Sequence, residues 1–229
     1  MLSIKKVYND KNKNMLTMIY ILNLIKVGKI SMIDFKTSKT KENLLKAFAG
    51  ESQARNRYTF AAEVAKTEGY PILHDLFIYT ANQEKAHAQQ FMEKLKEFSG
   101  SEIKFTASYP VEVEKSTLTL LKQAEKNESN EGKNIYIEFA KVAKEEGFSD
   151  IENLFTNIAS IENVHSERFK KYAEKLSSGS LFKDTITSAW MCTNCGFIYE
   201  GLVAPAKCPV CSHPQGYFIK FDESPFEDK

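Results

Sequence analysis

Cysteine is absent from the first 191 residues of this 229-residue chain, and its four cysteines all fall between positions 192 and 211. This distribution excludes a disulfide-rich secreted scaffold, in which many cysteines hold a small domain together. The four cysteines form two Cys-x-x-Cys pairs, a pattern that in such a chain indicates metal ligands first. A reducing cytoplasm is therefore the expected compartment.

A surplus of charge of either sign is also lacking. The chain has 31 basic and 30 acidic residues and a formal net charge of +1. Domains that bind nucleic acid usually carry a basic patch or stripe, whereas the charges here are mixed along the chain. We therefore expect no nucleic-acid partner.

Long apolar runs are missing as well. One apolar stretch runs from Met15 to Ile25, which is too short to span a membrane, so no membrane partner is expected. The stretch resembles the core of a signal peptide, but no small-x-small cleavage site follows it. We interpret residues 1–31 as the product of an upstream start codon with Met32 as the true initiator; a targeting or anchoring role is the alternative.

Apolar residues recur at helical spacing in four long segments. These segments predict helices at about 40–68, 71–98, 116–146 and 149–177, with Ser149 and Asp150 as N-cap residues. The turns at Gly69 and Gly147 are tight, so the helices on either side of each turn form antiparallel hairpins. Residues 101–114 are long enough to travel the length of the bundle. Two hairpins joined by one long crossover are typical of the ferritin-like four-helix bundle.

The two hairpins are internal repeats. The sequence VAKTEG at 64–69 matches VAKEEG at 142–147, and the same offset places the motif Glu84-x-x-His87 on Glu162-x-x-His165. A repeated hairpin predicts a pseudo-two-fold bundle whose site lies on the axis and is built equally from both halves.

The repeated Glu-x-x-His motif predicts a pair of metals inside the bundle. Residues three apart lie on one helix face, so both side chains of each motif can point inward. In di-metal bundles the other two helices each supply a glutamate. Glu51 is the candidate in the first helix, and Glu128 and Glu131 are the candidates in the third. Buried carboxylates need neutralising cations, and oxygen with imidazole favours iron or manganese.

The register of the third helix predicts a local irregularity. The repeat offset maps Glu51 onto Ser129, one residue beyond Glu128. One extra residue between Glu128 and Tyr136 would restore the register, and in a helix this forms a π-bulge. Tyr58 and its repeat counterpart Tyr136 are predicted to hydrogen-bond the metal-binding carboxylates, with ordinary core packing as the alternative.

The cysteine pairs predict a second metal site. Twelve residues separate the pairs, and four sulfur ligands indicate tetrahedral coordination of either zinc or a single iron. A short domain with a small core also needs a metal to hold it together. On spacing alone a zinc ribbon remains an alternative. The candidate ligands are Cys192, Cys195, Cys208 and Cys211.

Taken together, these motifs resemble the rubrerythrin family over roughly residues 41–221. The resemblance is carried by residues 47–58, 83–87 and 162–169, by the Glu128-x-x-Glu131 pair, and by the rubredoxin-like tail that starts at Trp190. It implies a ferritin-like all-α four-helix bundle followed by a small rubredoxin-like β domain. The expected divisions are an N-terminal extension at 1–33, a di-iron domain at 34–178, a linker at 179–189 and a rubredoxin-like domain at 190–229.

The resemblance also implies residue roles. Glu84 and Glu162 would bridge two irons. Glu51 would hold one of these irons, and Glu128 with His165 the other. The first iron would move between Glu131 and His87 as the redox state changes. The implied set of catalytic residues is Glu131, His87, Tyr58 and Tyr136.

The implied activity is that of a non-haem di-iron peroxidase, which reduces hydrogen peroxide to water in an anaerobic or microaerophilic cell. Iron in the four-cysteine site would relay electrons from a rubredoxin or an NAD(P)H-dependent reductase. At least a homodimer is expected, with subunits paired head to tail. Two other functions stay open on the sequence: a ferritin-type iron oxidase, and a zinc-ribbon adaptor without catalysis.

Overall fold

The computed structural model of the protein describes residues 33–224, so the predictions made for residues 1–32 lie outside it. The helices are α1 (Lys39–Thr67), α2 (Pro71–Lys94), α3 (Thr117–Asn130), a π-helix (Glu131–Ile135), α4 (Tyr136–Glu145) and α5 (Ser149–Ser177). The strands are β1 (Lys183–Cys192), β2 (Ile198–Val203) and β3 (Phe218–Lys220). The segments α3, π-helix and α4 follow without a break and form the third long helix of a ferritin-like bundle.

The two hairpin turns share one geometry. Gly69 and Gly147 have φ values of 84° and 88°, and the next residue in each turn donates its N–H five residues back, Tyr70 to Ala65 and Phe148 to Ala143. This is the Schellman arrangement, in which a left-handed glycine ends the helix. The turn makes the aromatic residue the N-cap of the following helix.

Two details of the predicted helices are corrected by this geometry. Ser149 is the first residue of α5 and Phe148 is its N-cap, without any side-chain cap, so the predicted capping by Ser149 and Asp150 is wrong. The second helix ends at Lys94, and a short 3-10 turn at Lys96–Phe98 follows.

The hairpins also cap each other through two glutamates that are equivalent in the repeat. The Glu146 carboxylate accepts the backbone N–H groups of Lys39 (3.0 Å) and Thr40 (2.8 Å) at the start of α1. Glu68 accepts the N–H of Thr117 (2.9 Å) at the start of α3. A carboxylate at a helix N-terminus satisfies orphan N–H groups and complements the helix dipole.

Replacement of Glu146 by alanine is expected to lower the free energy of unfolding by about 1 kcal/mol. Burial raises the pKa of Glu146, but the hydrogen bonds from Thr40 and Lys39 outweigh it and lower the pKa below its usual value. The stabilisation by this carboxylate is complete above the unfolded-state pKa and is lost as pH falls through the lowered folded-state pKa, so the stability difference between wild type and variant should shrink at acidic pH. Urea unfolding at pH 7 and at about pH 3.5 measures the free energy of unfolding of both proteins, and Glu145→Ala, which changes an exposed glutamate, is the control.

Two buried apolar clusters fill the bundle on either side of a layer of carboxylates. One cluster contains Phe77, Leu121 and Phe169, and the other contains Phe91 and Phe155. Along every helix the glutamates and histidines lie between residues of the two clusters. The polar layer is thus enclosed at both ends by close-packed apolar side chains, which keep bulk water away from it.

The C-terminal part is a three-stranded antiparallel sheet in the order β2-β1-β3. Trp190 is fully buried in it and donates its indole N–H to the carbonyl of Gly201 (2.9 Å). Strand β1 starts at Lys183, within the segment 179–189 that the sequence predicts as a linker. The C-terminal part lies against the end of the bundle: Gly216, in the 3-10 turn before β3, contacts the α1–α2 turn at Gly69, and Ile219 of β3 packs on the cluster that contains Phe77. Across residues 33–224 no helix has both the length and the apolarity needed to cross a membrane.

Candidate metal centres

Six of the predicted ligands meet in the middle of the bundle. They form two overlapping groups, and within each group the candidate ligand atoms all lie within 4.8 Å of one another. One group is Glu51, Glu84, His87 and Glu162, and the other is Glu84, Glu128, Glu162 and His165. The groups share Glu84 and Glu162, which is the arrangement expected of two metals bridged by two carboxylates.

The donor atoms of these ligands converge but make few hydrogen bonds with one another. Seven are buried without a hydrogen bond: Glu51 Oε2, Glu84 Oε1, Glu128 Oε2, both carboxylate oxygens of Glu162, and both ring nitrogens of His165. His165 Nδ1 is only 2.8 Å from Glu162 Oε2, yet the directions of the two groups do not make a hydrogen bond. Buried polar atoms normally have partners. Their convergence without mutual bonding is typical of metal ligands.

Burial and neighbouring charged groups shift several pKa values in the cluster. Burial raises the pKa of Glu51 and Glu128 well above the usual value for a carboxyl group. Burial lowers the pKa of His87, but the nearby carboxylates of Glu162, Glu51 and Glu84 outweigh it and raise that pKa to about 12. Such strong perturbation marks carboxylates and imidazoles that need a cation between them.

Tyr58 and Tyr136 hydrogen-bond the ligand carboxylates, as the sequence predicts, but each does so across the pseudo-two-fold axis. The Tyr58 hydroxyl donates to Glu128, and the Tyr136 hydroxyl donates to Glu51. Burial raises the pKa of both phenols, so they remain donors at neutral pH. Each tyrosine therefore holds the glutamate supplied by the opposite half of the repeat.

The π-helix prediction is confirmed at Glu131–Ile135. A Cβ at Gly132 would lie 2.8 Å from the carbonyl oxygen of Ala159 and 2.9 Å from the Asn163 side chain, so the π-turn and α5 approach closely. Sequence reasoning gave Gly132 no role, although a glycine inside a helix is a signal of close approach. Glu131 itself belongs to neither ligand group.

Glu131 nevertheless lies close enough to the cluster to be affected by its charges. Burial, followed by the charges of Glu162 and Glu84, raises the pKa of Glu131 to about 8. The nearby Arg57 guanidinium opposes this shift. Glu131 thus lies at the edge of the site. His87, the ligand with which it was predicted to exchange, lies in the first ligand group. Exchange between these two ligands stays a prediction.

The four cysteines form one cluster at the tip of the sheet. The Sγ atoms of Cys192 and Cys211, and those of Cys195 and Cys208, are both 3.7 Å apart. A tetrahedron with metal–sulfur bonds of about 2.3 Å has edges of about 3.8 Å, so the spacing fits one tetrahedral metal. No disulfide joins the four.

The backbone shapes both cysteine loops in the same way. Gly196 and Ser212 directly follow the second cysteine of each pair and have φ values of 76° and 63°. The N–H of His213 lowers the pKa of the Cys211 thiol to about 5, which favours the thiolate. His213 is not a ligand: its Nδ1 lies 3.2 Å from the Cys211 carbonyl oxygen and its ring packs on Tyr217.

A ferritin-like bundle with a di-iron site, joined to a four-cysteine iron domain of the rubredoxin type, defines the class of this protein. Family models agree with both parts: the rubrerythrin model matches residues 42–173, and the rubrerythrin rubredoxin-like domain model matches residues 190–219. The chain belongs to the rubrerythrin family.

Individual relatives support the assignment over nearly all of their own length. Rubrerythrin of Clostridium perfringens is 46% identical over 84% of this chain and 100% of its own, and rubrerythrin of Porphyromonas gingivalis is 45% identical over 80% and 90%. A solved structure of nigerythrin in a mixed-valence state has a TM-score of 0.54 and 29% identity, covering 83% of this chain and 92% of the nigerythrin chain.

Proposed function

We propose that the chain is a peroxidase that reduces hydrogen peroxide to water, using electrons relayed through its four-cysteine iron site. The observation that carries the proposal is the pair of ligand groups that share Glu84 and Glu162. Such sharing holds two metals side by side, and a one-electron thiolate–iron site lies in the same chain. A ferritin-type iron oxidase would have no use for that second site.

The reaction takes two electrons and two protons for each peroxide, breaks the O–O bond and releases two waters. Two ferrous ions held by the shared glutamates would supply one electron each. Tyr58 and Tyr136 keep Glu128 and Glu51 in place through their hydroxyl groups. Glu131 lies beside the site as the carboxylate that can replace His87 when the charge on the metals rises. The apolar clusters above and below exclude bulk water.

The position of the sheet supports a relay between subunits. The sheet lies against the α1–α2 turn, and Glu84 lies thirteen residues after Pro71 along α2, or about 20 Å at 1.5 Å per residue. That separation is long for electron transfer within one chain, which falls steeply with distance. A head-to-tail homodimer would bring the cysteine site of one subunit to the bundle of the other. A rubredoxin or an NAD(P)H-dependent reductase in the cytoplasm is the proposed donor.

A visible spectrum of protein purified without oxygen tests the function. Thiolate–iron colour that bleaches with reductant and returns when hydrogen peroxide is added would support a peroxidase. Colourless protein that carries only zinc would instead favour the adaptor. Protein that oxidises and accumulates iron but does not consume peroxide would favour ferritin-type iron oxidation.

Glu131→Ala is expected to reduce kcat/KM for hydrogen peroxide by about 100-fold, because the exchanging carboxylate is removed, and to leave the thiolate–iron colour intact. Stopped-flow oxidation of the reduced protein measures this loss. Glu145→Ala is the matched control, since it changes an exposed glutamate on the same long helix. Unchanged turnover in Glu131→Ala would remove this residue from the mechanism.

A further inference from the structure

A cavity of about 390 Å³ lies under the crossover segment, beside the di-iron site and on the side of the π-helix. Its floor includes Glu131 and Tyr136, the second of which donates to Glu51. Its walls are α1 at Lys46–Gly50 and α4, and its roof is the crossover at 106–110. The floor of the cavity therefore consists of residues that adjoin the metal ligands.

Tyr109 lies across this cavity. Its hydroxyl donates to the backbone carbonyl of Lys46 (2.8 Å), and a Cβ placed on Gly50 would stand 3.6 Å from its ring. The ring thus rests directly above the one position of this α1 segment that has no side chain. The aromatic ring of Tyr109 covers the space next to Glu131, and one hydrogen bond from its hydroxyl group holds the ring there.

The roof is less firmly held than the helices around it. Between Phe98 and Thr117 the described chain has no helix or strand. A second attachment lies at Glu112, which accepts from Asn127 (2.8 Å) and pairs with Arg57 (3.7 Å). Segments with few buried contacts open locally at lower free energy than packed helices. Residues 106–108 and 110 are exposed, so we expect this segment to open before either hairpin unfolds.

We infer that this cavity is the route by which hydroperoxide reaches the di-iron site, and that the ring of Tyr109 sets the size of the hydroperoxide admitted. The inference rests on the proposed function. It extends that function to small alkyl hydroperoxides, ROOH, when the ring is removed. Reduction of ROOH would take two protons and two electrons, which the reduced di-iron centre would supply; it would break the O–O bond and give the alcohol ROH and water.

The experiment compares hydrogen peroxide with tert-butyl hydroperoxide in the iron-loaded full chain. Tyr109→Ala should raise the ratio of kcat/KM for tert-butyl hydroperoxide over hydrogen peroxide by about tenfold or more. Tyr109→Phe keeps the ring but loses the hydrogen bond that holds it, so its ratio should rise clearly less than that of Tyr109→Ala. An unchanged ratio in a folded Tyr109→Ala protein overturns the inference, as does an equal rise in Tyr109→Phe.

A readout without turnover separates this inference from the proposed function. Zinc-loaded chain and tert-butyl alcohol, an unreactive mimic, are examined by saturation-transfer NMR. Saturation transfer to the alcohol should be stronger in Tyr109→Ala than in wild type or Tyr109→Phe. Equal transfer in all three proteins would contradict the inference that the Tyr109 ring limits access to the cavity. If wild type leaves hydrogen peroxide intact while the NMR difference is present, the proposed function fails and the cavity gate stands.

Discussion

Removal of the bundle metals by a chelator is expected to lower the thermal midpoint by more than about 15 °C, and reloading should release at least about two protons at pH 7. Glu51, Glu84, Glu128 and Glu162 are all buried, together with His87 and His165. Without cations these carboxylates repel one another in an environment that solvates charge poorly. The metals therefore contribute to folding as well as to chemistry.

The proton release follows from the imidazoles. Burial lowers the pKa of His165, but the nearby carboxylates of Glu128, Glu162 and Glu84 outweigh it and raise that pKa to about 11; the pKa of His87 rises to about 12. Both rings thus carry a proton at pH 7 in chelated protein, and a metal binds only the neutral ring. Metal affinity should consequently fall as pH falls.

Titration calorimetry in two buffers of different ionisation enthalpy counts these protons. His213→Ala should leave the count unchanged, because that ring lies outside the bundle and binds no metal. His165→Ala should reduce the count by about one. Loading that releases no protons in wild type would show that the imidazoles are already neutral and would contradict the argument.

Loss of the cysteine site should separate the two halves of the proposed reaction, which are reduction of the di-iron site by the electron donor and its oxidation by hydrogen peroxide. In the double variant Cys195→Ser and Cys211→Ser, which alters the more exposed pair of cysteines, steady-state turnover with a reductase should fall by about 100-fold or more. A single oxidation of chemically reduced protein by hydrogen peroxide should stay within about twofold of wild type, because the bundle is untouched.

Ser212→Gly is the matched control. It keeps all four sulfurs and replaces a non-glycine residue at positive φ, so it should retain full turnover and gain slightly in stability. Mixing the double variant with Glu84→Ala chains tests the relay between subunits. Recovery of turnover in the mixed dimers supports transfer in trans, whereas no recovery in verified mixed dimers argues for transfer within one chain.

Much of the fold and of the site follows from local features of the chain. Helical periodicity and the glycines at the turns predict the two hairpins. The internal repeat predicts that Glu84 and Glu162 occupy equivalent positions. The mismatch between Glu51 and Ser129 located the π-helix. These inferences succeed because they depend on spacing within a helix, which the sequence states directly.

Other features depend on how distant segments meet. Nothing in the spacing shows that Tyr58 bonds Glu128 rather than a carboxylate of its own helix, or that Glu146 caps α1 from the far hairpin. The position of Tyr109 over Gly50 likewise depends on the path of an irregular crossover.

The sequence by itself determined the four helical segments, their register and the ligand types of both metal sites, since periodicity and donor types are properties of the chain. Only the tertiary structure decided which partner each tyrosine and glutamate bonds, and which side of the di-iron site opens to a cavity. Those choices are made by close packing between elements far apart in sequence, where displacement by a fraction of a side chain changes the neighbour.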